Sequence, residues 1–192
     1  MPNLAKTDGT ALKLLWLAVL VVVLDQLTKA WALQNLQLHQ PMPILPNLNF
    51  TLAFNEGAAF SFLSEMGGTQ RWLFSGLAVV VSVLLIWWLR KLPNQLNCET
   101  LGLNLVLGGA VGNVIDRVLA GKVTDFIDFY IGNWHYATFN VADIAISVGA
   151  FCLIVQEFWL KPRQAKQQVE QTTQATQAND HSENTQASDK NV

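Results

Sequence analysis

"WLFSGLAVVVSVLLIWWL" (Trp72–Leu89) is an apolar run close to the length that decides a membrane fold. A helix needs about 20 mostly apolar residues to cross the hydrocarbon of a bilayer. Upstream, a second candidate runs from Leu14 to about Leu33. Downstream, Leu101–Leu119 is a weaker one, interrupted by Asn104, Asn113, Asp116 and Arg117, and a further run extends from about Phe139 to about Leu160. Four crossings predict an all-α membrane protein of four transmembrane helices, with a small β-containing segment outside the cytoplasm.

The composition agrees. Of 192 residues, 51% are hydrophobic and 14% charged, and seven are tryptophan. The length suits one domain. A net charge of −2 gives no reason to expect a nucleic-acid partner. Cys98 and Cys152 match no metal spacing and read as free thiols, neither of them a site. The first apolar run resembles a cleavable signal peptide, with Lys6 and Lys13 ahead of it and Ala30-Trp31-Ala32 behind. Asp25 and Lys29, however, put charge between core and cleavage motif, so an uncleaved helix is expected.

Basic residues set the orientation. Lys6 and Lys13 precede the first helix, Arg90-Lys91 follow the second, and Lys161, Arg163 and Lys166 follow the fourth. With four crossings all three groups share one side, the cytoplasm, and both termini lie there. The opposite side then holds residues 34–71 and 119–138. Residues 163–192, rich in Gln, Thr and Asn, have almost nothing apolar and read as a disordered polar cytoplasmic tail after a four-helix transmembrane domain, 1–162.

In the first outer segment "LNFTLAFN" alternates. Leu48, Phe50, Leu52 and Phe54 face one way and Asn49, Thr51, Ala53 and Asn55 the other, the period of a half-buried strand. Pro41, Pro43 and Pro46 before it favour extended chain. Such a strand fits either a hairpin tying two helices together or a platform holding an extended peptide beside the membrane.

The polar residues inside the apolar runs carry the chemistry. A charge at the centre of a bilayer costs about 2.5–3.5 kcal/mol even on the lenient insertion scale. Asp25 and Lys29, four apart, share a helix face and read as an ion pair turned to the bundle interior. In "GGAVGNVIDR", Gly108 and Gly112 allow close helix approach, while Gly109, Asn113 and Asp116 form a stripe. An Asp116–Arg117 interaction is the structural reading of that cluster. In "FNVADIAI", Asn140 is a good N-cap, which makes Asp143 the third helical residue and a capping acid at the least. Asp125 reads at the least as a solvated loop acid. Yet Asp25, Asn55, Asp116, Asp125 and Asp143 all fall on the outer side, a bias that scattered structural acids would not show.

There is no HExxH, no G-x-S-x-G, and the histidines are far apart, so no metal site is expected. Carboxylates remain. Two held close together cannot both ionise easily, so one keeps a proton near neutral pH. The ionised acid can take a proton from water while the protonated one polarises a carbonyl, which is aspartic peptidase chemistry without a cofactor. The rivals are a serine–lysine peptidase using Ser61 or Ser64 with Lys29, and a small transporter or channel. Nothing in the sequence places a serine beside Lys29. The acids cluster at one membrane edge, whereas transporter sites lie near the midplane.

"DQLTK" (25–29), "NEGAAFSF" (55–62), "GGAVGNVIDR" (108–117), "VTDFIDF" (123–129) and "FNVADIAI" (139–146) occur in that order on this hydropathy pattern. Over about residues 12–160 the chain resembles the lipoprotein signal peptidases (signal peptidase II) of bacterial inner membranes. The resemblance implies cleavage of prolipoprotein signal peptides just before a diacylglyceryl-modified cysteine, at the outer face of the membrane. It implies Asp125 and Asp143 as the catalytic pair, and Asn113, Asp116, Arg117 and Asn140 as supporting residues. Asn55 and Gly57 match an outer segment that closes over substrate, Asp25 and Lys29 a structural motif, and Asp128 an acid outside the pair. Its implied partners are lipidated prolipoproteins and membrane lipid, with no cofactor and no metal, and four helices suffice for a monomer. The helix N-terminus at Asp143 favours the ionised form there, leaving the shared proton more often on Asp125.

Overall fold

The computed structural model describes residues 9–57, 70–163, 167 and 171. The polar tail beyond residue 163 apart from 167 and 171, Ser61 and Ser64, and the latter part of "NEGAAFSF" lie outside the described residues. The chain divides into two compact units, Met1–Leu153 and Ile154–Val192.

In the first unit a 3-10 turn, Ala11–Leu14, leads into helix α1 (Leu15–Asn35). Strands β1 (Met42–Leu45) and β2 (Leu48–Asn55) follow, then α2 (Gln70–Lys91), α3 (Cys98–Ala120), β3 (Val123–Ile131), β4 (Trp134–His135) and α4, which starts at Val141. Among the described residues four helices are long and apolar enough to cross a membrane: Ala11–Asn35, Arg71–Lys91, Cys98–Ala120 and Val141–Arg163. Trp16, Leu20, Leu27, Leu73, Leu77, Val80, Val83 and Leu84 are all exposed, as lipid-facing side chains should be. The second unit carries the end of α4 (to Val155) and a π-helical turn, Gln156–Leu160, where Glu157 and Lys161 pair at 2.6 Å.

The third apolar run is the weakest by composition because its helix is the central one. Helix α3 packs against both α1 and α2. Asn104, Asn113 and Asp116 are buried rather than facing lipid, and Arg117 is half-buried. Gly108 lies against Ala18 and Val21 of α1, and Gly109 against Ala142 and Ile146 of α4. A side chain at Gly109 would meet the Ala142 carbonyl oxygen, so only glycine permits this approach. Asn97 and Thr100 cap the start of α3 reciprocally, at 2.9 and 3.1 Å.

The start of α1 meets the end of α2, with Ala11 N–H donating to the Leu92 carbonyl at 3.0 Å. Lys13, Arg90 and Lys91 therefore gather at one end of the bundle. The sheet caps the other end. It is antiparallel in the order β1-β2-β3-β4.

The second outer segment is thus not a loop. Residues 123–131 form the strand that pairs with β2, and Asp125 is buried in it, not a solvated loop acid. The alternation of β2 largely holds: Phe50, Leu52 and Phe54 pack into a cluster with Ala32, Leu36 and Phe126. It is not strict, because the register changes between Phe50, opposite Ile127, and Ala53, opposite Asp125. Phe126 and Ile127 also donate to the same Phe139 carbonyl, at 3.1 and 2.9 Å, which marks the irregularity in β3.

Candidate active site

Asp125 and Asp128 are three residues apart, which a regular strand would turn to opposite faces. With the register mismatch, both take hydrogen bonds from the polar row of β2. Asn49 and Thr51 donate to Asp128 Oδ2 at 3.1 and 3.2 Å. Asn55 bonds to Asp125. The two acids then diverge. Asp128 pairs with His135 Nδ1 at 2.8 Å. Burial pushes the Asp128 carboxyl up, but the bonds from His135 and Asn49 outweigh this and hold it below the usual carboxylate range. Asp128 is an ionised tie between β2, β3 and β4.

Asp125 turns instead toward the start of α4. Its Oδ1 accepts from Asn140 Nδ2 at 2.6 Å. Asn140 caps α4 as its sequence predicts: its Oδ1 accepts from Asp143 N–H at 3.0 Å, and Asp143 Oδ2 accepts from Asn140 N–H at 3.3 Å. One asparagine thereby holds both acids. Burial, reinforced by the charge of Asp143, pushes the Asp125 carboxyl up to about 7, against the hydrogen bonds from Asn140 and Asn55.

Behind the two acids lies a buried polar layer. Asn113 donates to Asp143 Oδ1 at 2.8 Å and accepts from Lys29 Nζ at 3.0 Å. Lys29 pairs with Asp25 at 2.8 Å and with Asp116 at 3.1 Å. Asp116 is therefore the partner of Lys29 across the helix interface, and not chiefly of its neighbour Arg117. Asp116 also accepts the Thr124 N–H at 3.0 Å, tying α3 to β3, and Asp25 accepts the Ala142 N–H at 2.9 Å, tying α1 to α4. Arg117 lies over the Phe74 ring, 5.6 Å from its centroid, within the field of Asp143, Asp125 and Asp116.

A cleft of about 350 Å³ runs between α2, α3 and α4 to this layer. Its walls are apolar (Phe74, Leu77 and Ala110 among them), and Asn113, Arg117 and Asp143 line it too. Gly57 stands near it. Its N–H bonds to Asn55 Oδ1 at 2.9 Å, its φ is +91°, and a Cβ there would come within 2.6 Å of Phe74. Among the described residues no three His, Cys, Asp or Glu side chains are grouped to hold a metal.

A family model described as signal peptidase (SPase) II matches residues 17–159. The chain belongs to the signal peptidase II family. It is similar to the lipoprotein signal peptidase of Hydrogenovibrio crunogenus, 60% identical over 161 residues, 84% of this chain and 94% of that one. The Coxiella burnetii lipoprotein signal peptidase is 55% identical over 141 residues, 73% and 86% of the two chains. Two solved structures of bacterial membrane enzymes share the fold. One has a TM-score of 0.67 at 31% identity, covering 75% of this chain and 91% of that one. The other has 0.64 at 32% identity, covering 73% and 84%.

All the site residues expected from the sequence fall within the stretch matched to signal peptidase II, and they converge at one end of the bundle. Gln26 was not among them. It donates to Asp116 Oδ1 at 2.9 Å and to the Gly112 carbonyl at 3.2 Å. Its signal was a polar side chain beside Asp25 in a segment without water, where it must find partners. Asn49, Thr51 and His135 were missed too, since nothing in the sequence says which acid a strand residue will meet.

Proposed function

We propose that this membrane endopeptidase removes signal peptides from prolipoproteins, with Asp125 and Asp143 as the pair that activates water. The observation that carries the reading is the pair itself. Two carboxyls from different elements are held on one asparagine, beside a cleft lined mostly by apolar side chains, and one of them keeps its proton near neutral pH. Ionised Asp143 takes a proton from water as the oxygen attacks the scissile carbonyl. Asp125 gives its proton to the developing oxyanion, and the amine leaves with a proton supplied by the pair. Asn113 and Asn140 orient the acids, Arg117 brings fixed positive charge, and Asn55 and Gly57 shape the outer wall.

The apolar cleft suits a substrate that is itself a lipid-anchored helix, whose scissile bond lies at the membrane surface. Residues 1–162 form the peptidase domain and 163–192 a polar cytoplasmic tail. Both termini face the cytoplasm, the pair faces outward, and the enzyme works as a monomer surrounded by lipid. The test is cleavage of two synthetic prolipoprotein peptides, with and without diacylglycerol on the cysteine. Cleavage before the cysteine of the lipidated peptide alone is expected. Equal cleavage of both, or of neither, contradicts the reading.

A further inference from the structure

The ammonium of Lys29 has three N–H donors and no acceptor. It meets Asp25 Oδ2, Asp116 Oδ2 and Asn113 Oδ1, so its donors are used. The Asn113 atom facing it must be the carbonyl oxygen, which turns the Asn113 amide nitrogen to Asp143 Oδ1, 2.8 Å away. The same reasoning fixes Asn140. Its oxygen is taken by the Asp143 N–H, so its nitrogen gives both hydrogens away, to Asn113 Oδ1 at 3.2 Å and Asp125 Oδ1 at 2.6 Å. Asp143 thus accepts at both oxygens, from Asn113 and from the Asn140 N–H.

We propose that Lys29 is a positioning residue for the reaction: by orienting Asn113 as a donor, it holds Asp143 as the ionised member and leaves the shared proton on Asp125. This rests on the reading of Asp125 and Asp143 as the catalytic pair. The ion pair of α1 is then the start of a chain of donors that ends at the reacting acids, and not only a staple between helices. Among the described residues, the charged groups around the pair are Asp25 and Lys29 from α1 and Asp116 and Arg117 from α3. β2 contributes neutral Asn55, and α2 contributes Phe74 under Arg117. The elevated value of Asp125 agrees with this placement of the proton. That value comes from burial and from the charge of Asp143, and the charge of Lys29 itself pulls Asp125 down. Lys29 therefore acts through Asp143, whose carboxylate receives the Asn113 donor.

The test removes the donor without changing net charge: Lys29→Met combined with Asp116→Asn, beside Lys29→Gln combined with Asp116→Asn, which keeps an N–H donor. Activity on the diacylglyceryl-modified peptide is followed against pH, with folding checked by thermal unfolding. In the Met variant kcat should fall about tenfold or more, with KM unchanged, since hydrogen bonds to charged groups carry that much. The acidic limb should move up by about one pH unit. The Gln variant should recover most of both. A purely structural role lowers stability without moving the limb, so a parental profile in the Met variant, or superimposable Met and Gln variants, overturns the proposal. If neither variant folds, Asn113→Leu, which leaves the Lys29 ion pairs in place, decides. An acidic limb moved up supports the proposal, and a parental limb overturns it. Activity retained by Asp125→Asn or Asp143→Asn overturns the pair and this proposal together. Inactive pair variants with an unmoved Lys29 profile overturn this proposal alone.

Discussion

Asn140 shows how much one side chain does here. It starts α4, accepts the Asp143 N–H, and donates to both Asp125 and Asn113. Its capping role was legible, because an asparagine three residues before an acid at the head of an apolar run is a helix start. The partner of Asp116 was not. Sequence offers its neighbour Arg117, whereas the fold offers Lys29 from 87 positions earlier in the chain. Pairing across a helix interface depends on how two helices rotate against each other, which periodicity does not fix. For Asp125 the raised value has a thermodynamic consequence. The folded chain keeps a proton up to about pH 7 that an unfolded chain loses near 4, so its stability falls as pH rises through that window. Asp125→Asn has no such proton to lose. Its stability advantage over the parent, read by thermal unfolding in detergent, should widen between pH 4 and 8 by up to a few kcal/mol. A constant gap would mean that Asp125 titrates normally.

Helix positions were readable because apolar runs long enough to cross a bilayer have few other uses, and each of the four expected spans coincides with a helix. Strand β2 was readable from its alternation. β3 was not, since in "VTDFIDFYI" two acids three apart break the period-2 pattern, and only the register mismatch with β2 makes sense of them. The close approach of α3 and α4 was half legible. The glycines announced a contact but not its partner, and Gly109 proves to lie on the Ala142 backbone at the first turn of α4. Gly109→Ala must push that turn away. A loss of about 1–3 kcal/mol in unfolding free energy is expected, as for other overpacked sites. Activity should fall more than that, because the displaced turn carries Asp143. Unaltered activity would show that the site tolerates movement of α4.

For the whole molecule, the two ends of the bundle differ in what they carry. Lys13, Arg90 and Lys91 lie where α1 begins and α2 ends, whereas the sheet and the two acids cap the opposite end. If the positive end is cytoplasmic, single cysteines placed in a Cys98→Ala/Cys152→Ala background should label asymmetrically in intact cells. A membrane-impermeant maleimide should reach Leu45→Cys on β1 and fail to reach Gln95→Cys between α2 and α3. The opposite pattern would invert the topology and put the pair on the wrong side for a secreted substrate. The claim on which the rest depends is that Asp125 and Asp143 perform the cleavage. The most direct test is turnover of a diacylglyceryl-modified prolipoprotein peptide by purified Asp125→Asn, Asp143→Asn and Asp128→Asn, each shown to be folded. The first two should lose essentially all activity and the third should retain it. Cleavage by either of the first two contradicts the assignment of the pair, and cleavage by all three removes the aspartic mechanism.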